Sequence, residues 1–372
     1  LDYSRVSDDL YFRDLGKGLK VTSRTQLLQQ GKIAYNGALG DNGILSFSTQ
    51  VQQFQTVQDP ARPAGKPYKK LPQILMRATQ RDVFGADFDL KGSYTEFSHA
   101  DEKIDPNKVA GSRYTLFPNV SVPMENSFGF ITPKVGLHHT GYMLNRSTIN
   151  IPEKNISRTL PIMSIDSGVT FDRETKIFGE GFTQTIEPRL FYVYVPYKNQ
   201  SLMPNFDSGL QGFTFGRVFS ENRFSGSDRI NDANQFTMAL TSRLIDEETG
   251  IERFRIAVAK QFHLRKQRVG VVANPKRNSD IIVQLSGNIT PTLSAKHTMQ
   301  IDQSNSHTDV MRSILSYQPE TGKVLNLGYR YTRGVLAQYD ISGQWPISKK
   351  WRVVARKNYS LKDTRDLSEI AG

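Results

Sequence analysis

"TIEPRLFYVYVPY", residues 185–197, sets the problem. It is dense in aromatic and β-branched residues, which favour strands. Yet Glu187, Pro188 and Arg189 stand in its middle. A strand buried in a soluble core would strip both charges of water, and Pro has no N–H to give a sheet ladder. Alternation resolves the conflict. The even positions are Ile186, Pro188, Leu190, Tyr192 and Tyr194; the odd ones are Thr185, Glu187, Arg189, Phe191 and Val193. In a strand these sets point to opposite faces. One face suits hydrocarbon. The other suits a wet lumen, where Glu187 and Arg189 share a side and could pair. Pro188 then points toward lipid, and a local β-bulge would absorb its missing bond.

The same period recurs along the chain. Phe254, Ile256, Val258 and Phe262 alternate with Arg253, Arg255 and Gln261. Leu325, Leu327, Tyr329 and Tyr331 alternate with Asn326, Gly328, Arg330 and Thr332. Helical periodicity is almost absent. Only 37% of the 372 residues are hydrophobic, although Phe (21) and Tyr (15) are plentiful, which fits alternation better than a solid core. No apolar run is long enough for a membrane helix, but a β-barrel strand crosses with about 10 residues, half of them polar.

Short turns are expected near 36–42, 81–84, 122–127, 172–177, 246–250, 288–292, 318–322 and 346–350. Longer connections are expected at 57–69, 99–112, 144–157, 198–232 and 265–279. Short and long alternate, as in outer-membrane barrels with short periplasmic turns and long outside loops. The reading is all-β: a transmembrane antiparallel β-barrel, with roughly 17 strands plus a fragment in this chain. Residues 1–372 form part of one such domain. A strand-like first residue run and an abrupt end at "LSEIAG" suggest an internal piece of a longer protein.

"GFTQTIEPRLFYVYVPYKNQSLMPNFDS" (181–208) and "RFSGSDRINDANQFTMALTSRLID" (223–246) resemble central signatures of the LptD family of lipopolysaccharide-assembly outer-membrane proteins, also called the organic solvent tolerance family. "LDYSRVSDDLYFRDL" (1–15) and "QWPISKKW" (344–351) fit the same family in order and spacing. The two central blocks are specific; the rest is generic barrel. The resemblance implies a barrel of about 26 strands, near the top of the known range, preceded by a periplasmic jellyroll. It implies an LptE-type plug lipoprotein in the lumen and lipopolysaccharide delivered over a periplasmic Lpt bridge. The lipopolysaccharide would leave between the first and last strands for the outer leaflet of the Gram-negative outer membrane. This chain would be the middle of that barrel, without jellyroll, first strands or last strands. Family cysteines that join the N-terminal region to the barrel's end have no counterpart here, since the sequence has none.

Candidate lumen or plug-facing residues are Glu187, Arg189, Arg223, Asp228, Arg229, Asn234, Gln235, Arg253 and Arg255. For Glu187 and Arg189 the ordinary reading is a structural ion pair in a wet barrel. The polar stretch 220–235 would be a solvated outside loop on length alone. Its density of pairing groups argues for folding inward, with Asp228 and Arg229 fixing it through charge-assisted hydrogen bonds. Basic clusters at Lys66, Lys69 and Lys70, at Arg265, Lys266 and Arg268, and at Lys276 and Arg277 fall in the long connections. Cations there would attract the phosphates and carboxylates of lipopolysaccharide, as the net charge of +12 also favours anionic partners.

No aromatic-interleaved groove or motif points to nucleic acid. His138 and His139 are strand neighbours and point apart, so they do not share a metal. No HExxH, GxSxG or P-loop is present, and neither an enzyme nor a cofactor is expected. The two rival readings are a passive outer-membrane pore and a small barrel enzyme, which would need a catalytic constellation at the rim.

Overall fold

The computed structural model describes residues 1–9, 25–57, 64–105, 107–177, 179–212, 214–270, 278–303 and 307–372. Among these residues, every regular element apart from one 3₁₀ turn, Phe215–Phe219, is a strand. They are β1 (Asp2–Tyr3), β2 (Gln26–Ala38), β3 (Gly43–Thr56), β4 (Lys69–Val83), β5 (Ala86–Ser98), β6 (Gly111–Ser121) and β7 (Met124–Asn126). Then come β8 (Gly129–Leu144), β9 (Asn155–Val169), β10 (Phe171–Ile177), β11 (Glu180–Val195), β12 (Ala233–Asp246) and β13 (Glu252–His263). The chain continues through β14 (Asn278–Thr290), β15 (Leu293–Asp302), β16 (His307–Glu320), β17 (Lys323–Thr332), β18 (Leu336–Pro346), β19 (Arg352–Ser360) and β20 (Arg365–Ala371).

All strands join one antiparallel meander. Its twenty segments make eighteen strand lines, because β6 and β7 both face β8, and β9 and β10 both face β11. The first line is the two-residue β1. This matches the count expected from the turns. Among the described residues no pairing joins β20 back to β1.

At one end of the sheet the connections are as short as residues 84–85, 127–128, 291–292 and 321–322. At the other end they run over 57–68, 99–110, 145–154, 196–232 and 264–277. After β15 this second end also becomes short, with 303–306, 333–335 and 361–364. The turn expected at 172–177 is strand β10, which pairs with β11 up to Ile177↔Glu180.

The two faces differ as alternation requires. Ile186, Leu190, Met238, Leu240, Leu325 and Leu327 are large apolar side chains left exposed on the outer face. On β11 the odd set turns inward, and Phe191, Val193 and Val195 are buried. No bulge forms at Pro188. The pairing of β11 with β12 runs without a slip from Phe182↔Asp246 to Val195↔Ala233. The proline is accommodated on the other side. Ile186 pairs with Phe171 of β10 and Arg189 with Gly168 of β9, so the register places Glu187 and Pro188 opposite the interruption between those strands. There Thr170 turns its N–H to the Phe128 carbonyl instead, at 2.7 Å.

Candidate functional site

The segment 196–232 lies against the inner face of the sheet, and the buried apolar clusters form between the two. Met203 and Phe206 pack with Tyr68, Phe97, Val109, Tyr142 and Leu144. Ile230 packs with Leu160, Ile162, Phe191 and Val193. Val218 packs with Ala239, Ala259 and Ile282, beside Phe215 and Phe219. With Lys70 of β4 also bound to Asp207, one segment touches strands from β4 to β14, which requires the sheet to curl around it. The small residues Ala239 and Ala259 leave the room that Val218 fills, and no part of Val218 reaches solvent.

Polar anchors hold this segment more specifically than apolar contact does. Asp228 is fully buried. Its carboxylate accepts from Arg113 Nη1 at 2.7 Å and the Tyr142 hydroxyl at 3.0 Å. It also accepts from the backbone N–H groups of Phe206 and Asp207, at 2.8 and 2.9 Å. Every lone pair direction of that carboxylate is therefore used, which is how a buried charge is tolerated. Arg113, on β6, also forks onto Asp207, with Nη1 at 2.6 Å and Nη2 at 3.2 Å. Lys70 reaches the same carboxylate at 2.8 Å. Burial alone would push the Asp207 carboxyl up; the hydrogen bond and charge of Arg113, then Lys70, outweigh it and hold it down at about 2. Burial pushes the neighbouring Tyr68 phenol up to about 12.

A second arginine completes the clamp. Arg158 of β9 is fully buried and donates to Gln200 Oε1, the carbonyls of Ser227 and Asp228, and the Thr140 hydroxyl. Gln200 in turn donates to the Ile230 carbonyl and accepts from its N–H, at 2.7 and 3.1 Å. Farther along, Lys134 pairs with Glu221 at 3.2 Å.

The residues expected from sequence are distributed unevenly over this site. Glu187 and Arg189 face the lumen but do not pair with each other. Arg189 binds Asp166 at 2.5 Å, and its guanidinium lies 4.0 Å from the Phe219 ring centre. Glu187 binds Arg243 at 3.0 Å. Both partners are diagonal neighbours across the sheet: Asp166 stands opposite Phe191 and Arg243 opposite Thr185, a separation that long side chains span. Asp228 and Arg229 both fix the loop, through separate partners. Arg229 donates to the carbonyls of Met203 and Pro204, at 2.8 and 2.9 Å, and burial lowers its pKa. Arg223 donates to Gln267 at 2.5 Å, and Gln267 donates to the buried Gln235 at 3.0 Å. Asn234 is a correction. Its register partner is Tyr194, so it lies on the outward face, where it accepts from the Tyr192 hydroxyl at 3.1 Å. Arg253 pairs with Asp246 beside a short turn, at 3.0 Å, and Arg255 stands opposite Arg243 on the inner wall.

The expected outer basic cluster also divides. Lys66 pairs with Asp101 at 2.7 Å, while Lys70 turns inward to Asp207 and belongs to the loop anchor. Lys69 opens β4 opposite Ser98. Arg265 and Lys266 are exposed. Arg268 stacks on Tyr197, 3.6 Å from the ring centre, and its N–H donates to Asp232 at 2.9 Å. Lys276 and Arg277 lie outside the described residues. Sequence reading missed Arg113, Arg158, Tyr142 and Asp207. Asp207 does fall in the signature block 181–208, but nothing in the strand sequences marked the two arginines as buried.

The chain matches the family model described as "LptD: LPS transport system D" over residues 1–351. It is 52% identical over its full length to the LPS-assembly protein LptD of Nitrosospira multiformis, covering 40% of that protein. It is 46% identical, again over its full length, to the LPS-assembly protein LptD of Nitrosomonas eutropha, covering 51% of it. The chain thus spans about half the length, or less, of the curated relatives it matches. Among solved structures, a ferric enterobactin receptor mutant from Pseudomonas aeruginosa overlays 90% of this chain and 60% of its own, with 10% identity and a TM-score of 0.46. On the family model matched over residues 1–351 and the relatives 46% and 52% identical across its full length, the chain belongs to the LptD family.

Proposed function

We propose that this chain forms the middle wall and luminal loop of a barrel that moves lipopolysaccharide into the outer leaflet of the Gram-negative outer membrane. The parent protein would work with an LptE-type plug lipoprotein and receive its cargo from a periplasmic Lpt bridge through a domain N-terminal to this one. Family membership supports this reading, and one structural observation carries it further. Segment 196–232 covers only part of the inner face, and the inner wall of β15–β19 keeps its polar residues open beside it. A wide polar lumen with one fixed inner wall suits a sugar headgroup passing alongside a plug. The outer face offers hydrocarbon contact for acyl chains.

The chemistry is non-covalent. The chain's residues orient, screen and exclude; the drive comes from partners on the inner side. The test is depletion of the parent protein followed by measurement of lipopolysaccharide at the cell surface. Surface lipopolysaccharide should fall while other outer-membrane proteins still assemble. If it is unchanged, and the purified barrel conducts ions without any plug, the passive pore replaces this reading.

A further inference from the structure

We propose that the lumen contains an anion station, built by Lys296, Arg312 and Arg330, that takes a phosphorylated sugar headgroup. The proposal rests on the lipopolysaccharide reading above and adds a site to it. The three cations line a cavity of about 660 Å³ between Phe215 of the luminal loop and the inner wall of β14–β18. Ile282 and Gln284 near the start of β14 and Leu336 at the start of β18 also line it, which puts it toward the long-loop end.

The charge arrangement is what needs explaining. Arg312 on β16 stands directly opposite Arg330 on β17. Like charges directly opposed across strands destabilise a sheet. Among the described residues, two other cation pairs in this sheet face each other in the same way, and both bring a carboxylate. Arg77 faces Lys91, and Asp89 binds both, at 2.8 and 3.6 Å. Arg243 faces Arg255, and Arg243 is held by Glu187 at 3.0 Å and Glu252 at 3.7 Å. Among the described residues, Arg312 and Arg330 reach no carboxylate. Arg330 has one long contact, 3.4 Å to Gln338. Lys296 adds a third cation on the next row of β15, opposite Ile314, also without a carboxylate among the described residues.

An external anion would supply the missing charge. Two arginine forks side by side match phosphate oxygens in bidentate geometry, and lysine adds a point charge. The cavity's size falls in the usual range for small-molecule sites, about 300–1,000 Å³. Its other walls are mixed. Gln284, Thr298 and Thr332 offer partners for sugar hydroxyls, while Phe215 and Ile314 offer an apolar surface for a ring face. An acidic protein surface would be poorly served by so concave a site. A phosphorylated sugar fits both its charge and its shape.

The experiment uses the full-length parent protein purified with its plug lipoprotein. Three probes are titrated: a bisphosphorylated, deacylated oligosaccharide from lipopolysaccharide, the same oligosaccharide after phosphatase treatment, and inorganic phosphate. Wild type should bind the phosphorylated form most tightly. R312Q and R330Q should each weaken it about tenfold or more, the scale of one charge-assisted hydrogen bond. R312K should retain part of the affinity, and R356Q, at a carboxylate-paired site, should leave it unchanged. Equal binding by wild type and the double variant R312Q/R330Q would overturn the proposal. So would competition by inorganic phosphate at equal concentration, or arginine-dependent crosslinks to an acidic face of the plug alone. Surface lipopolysaccharide is measured after depletion in parallel. Arginine-dependent binding with unchanged surface lipopolysaccharide would sink the transport reading and keep the station; the reverse would sink the station alone.

Discussion

The inner face has two contrasting walls. From β4 to β14 it is covered by the loop 196–232, and Arg113 and Arg158 are almost wholly buried there. Beyond Ile282, the buried residues among those described are only Asp302, Asn358 and Ser360. The strands themselves alternate in the same way on both walls. The difference lies in the connections, which are long at one end up to residue 277 and short thereafter. It also lies in where the counter-charges come from. On the covered wall the loop supplies Asp207, Asp228 and Glu221 to wall cations. On the bare wall an in-sheet partner does so, as Asp340 does for Arg356. A loop that carries the wall's counter-charges is part of the wall, not a flap over it.

The largest test of that contrast is Asp228→Ala. It removes the acceptor for Arg113, for Tyr142 and for two backbone N–H groups at once. Breaking a buried ion pair from one side costs about 3–5 kcal/mol, because the remaining charge stays buried. The expected result is release of segment 196–232, read as new protease cleavage within it, together with a lower unfolding temperature of the refolded full-length protein. An uncleaved loop and unchanged unfolding would mean that the apolar clusters alone hold the loop.

Acid should separate the walls next. Asp207 is held below its ordinary value, so its contribution is complete above pH about 4 and is lost as pH falls through about 2. A depression of this size is worth about 2 kcal/mol. Lowering the pH from 5 to 2 should therefore loosen the loop, measured by hydrogen exchange at residues 203–209. Asp207→Asn should remove that pH-dependent step. If the variant shows the same step, the acid-sensitive group is elsewhere.

Much of the architecture was legible in the sequence because a strand's period of two needs no partner to be seen. The alternation of Phe254, Ile256 and Val258 with Arg253 and Arg255 already separated the faces. The alternation of short and long connections gave nearly the right number of strand lines. What could not be seen was anything set by register. Sequence alone shows that Arg189 shares a face with Glu187 and could pair with it, but its partner Asp166 is across the sheet. Lys70 stood in a basic cluster that looked external, and only the fold of the loop brings Asp207 to it from 137 positions away. Arg113 and Arg158 resemble any other lumen arginine until something covers them. The interruption at Thr170 was invisible because the cue, Pro188, sits on the neighbouring strand.

A backbone test of the loop should have a smaller effect. Gly226 has φ +68°, and a Cβ placed there would lie 2.6 Å from Asp207 Oδ1 and 2.8 Å from its carbonyl oxygen. An L-residue in that conformation costs about 1–2 kcal/mol before any clash is counted. Gly226→Ala should therefore shift unfolding modestly and increase cleavage within 196–232. A variant as stable and as resistant as the parent would show that this corner of the loop can move aside.

The smallest effect belongs to the bare wall. Arg356 binds one oxygen of Asp340 through Nε and Nη2, at 2.8 and 2.6 Å, so its contacts are as short as those of Arg113 with Asp207. Its side chain, however, is 43% exposed, against 3% for Arg113. Water on the bare wall screens the pair and can solvate either partner left behind. Exposed pairs are worth about 0.2–1 kcal/mol. Arg356→Ala should therefore change unfolding of the full-length protein far less than Asp228→Ala does, although both remove a short charge-assisted contact to the inner wall. Similar losses from the two substitutions would mean that the bare wall is covered in the assembled protein, with the plug lipoprotein proposed above as the first candidate. Repeating Arg356→Ala with and without that partner would then separate the strength of the ion pair from its exposure.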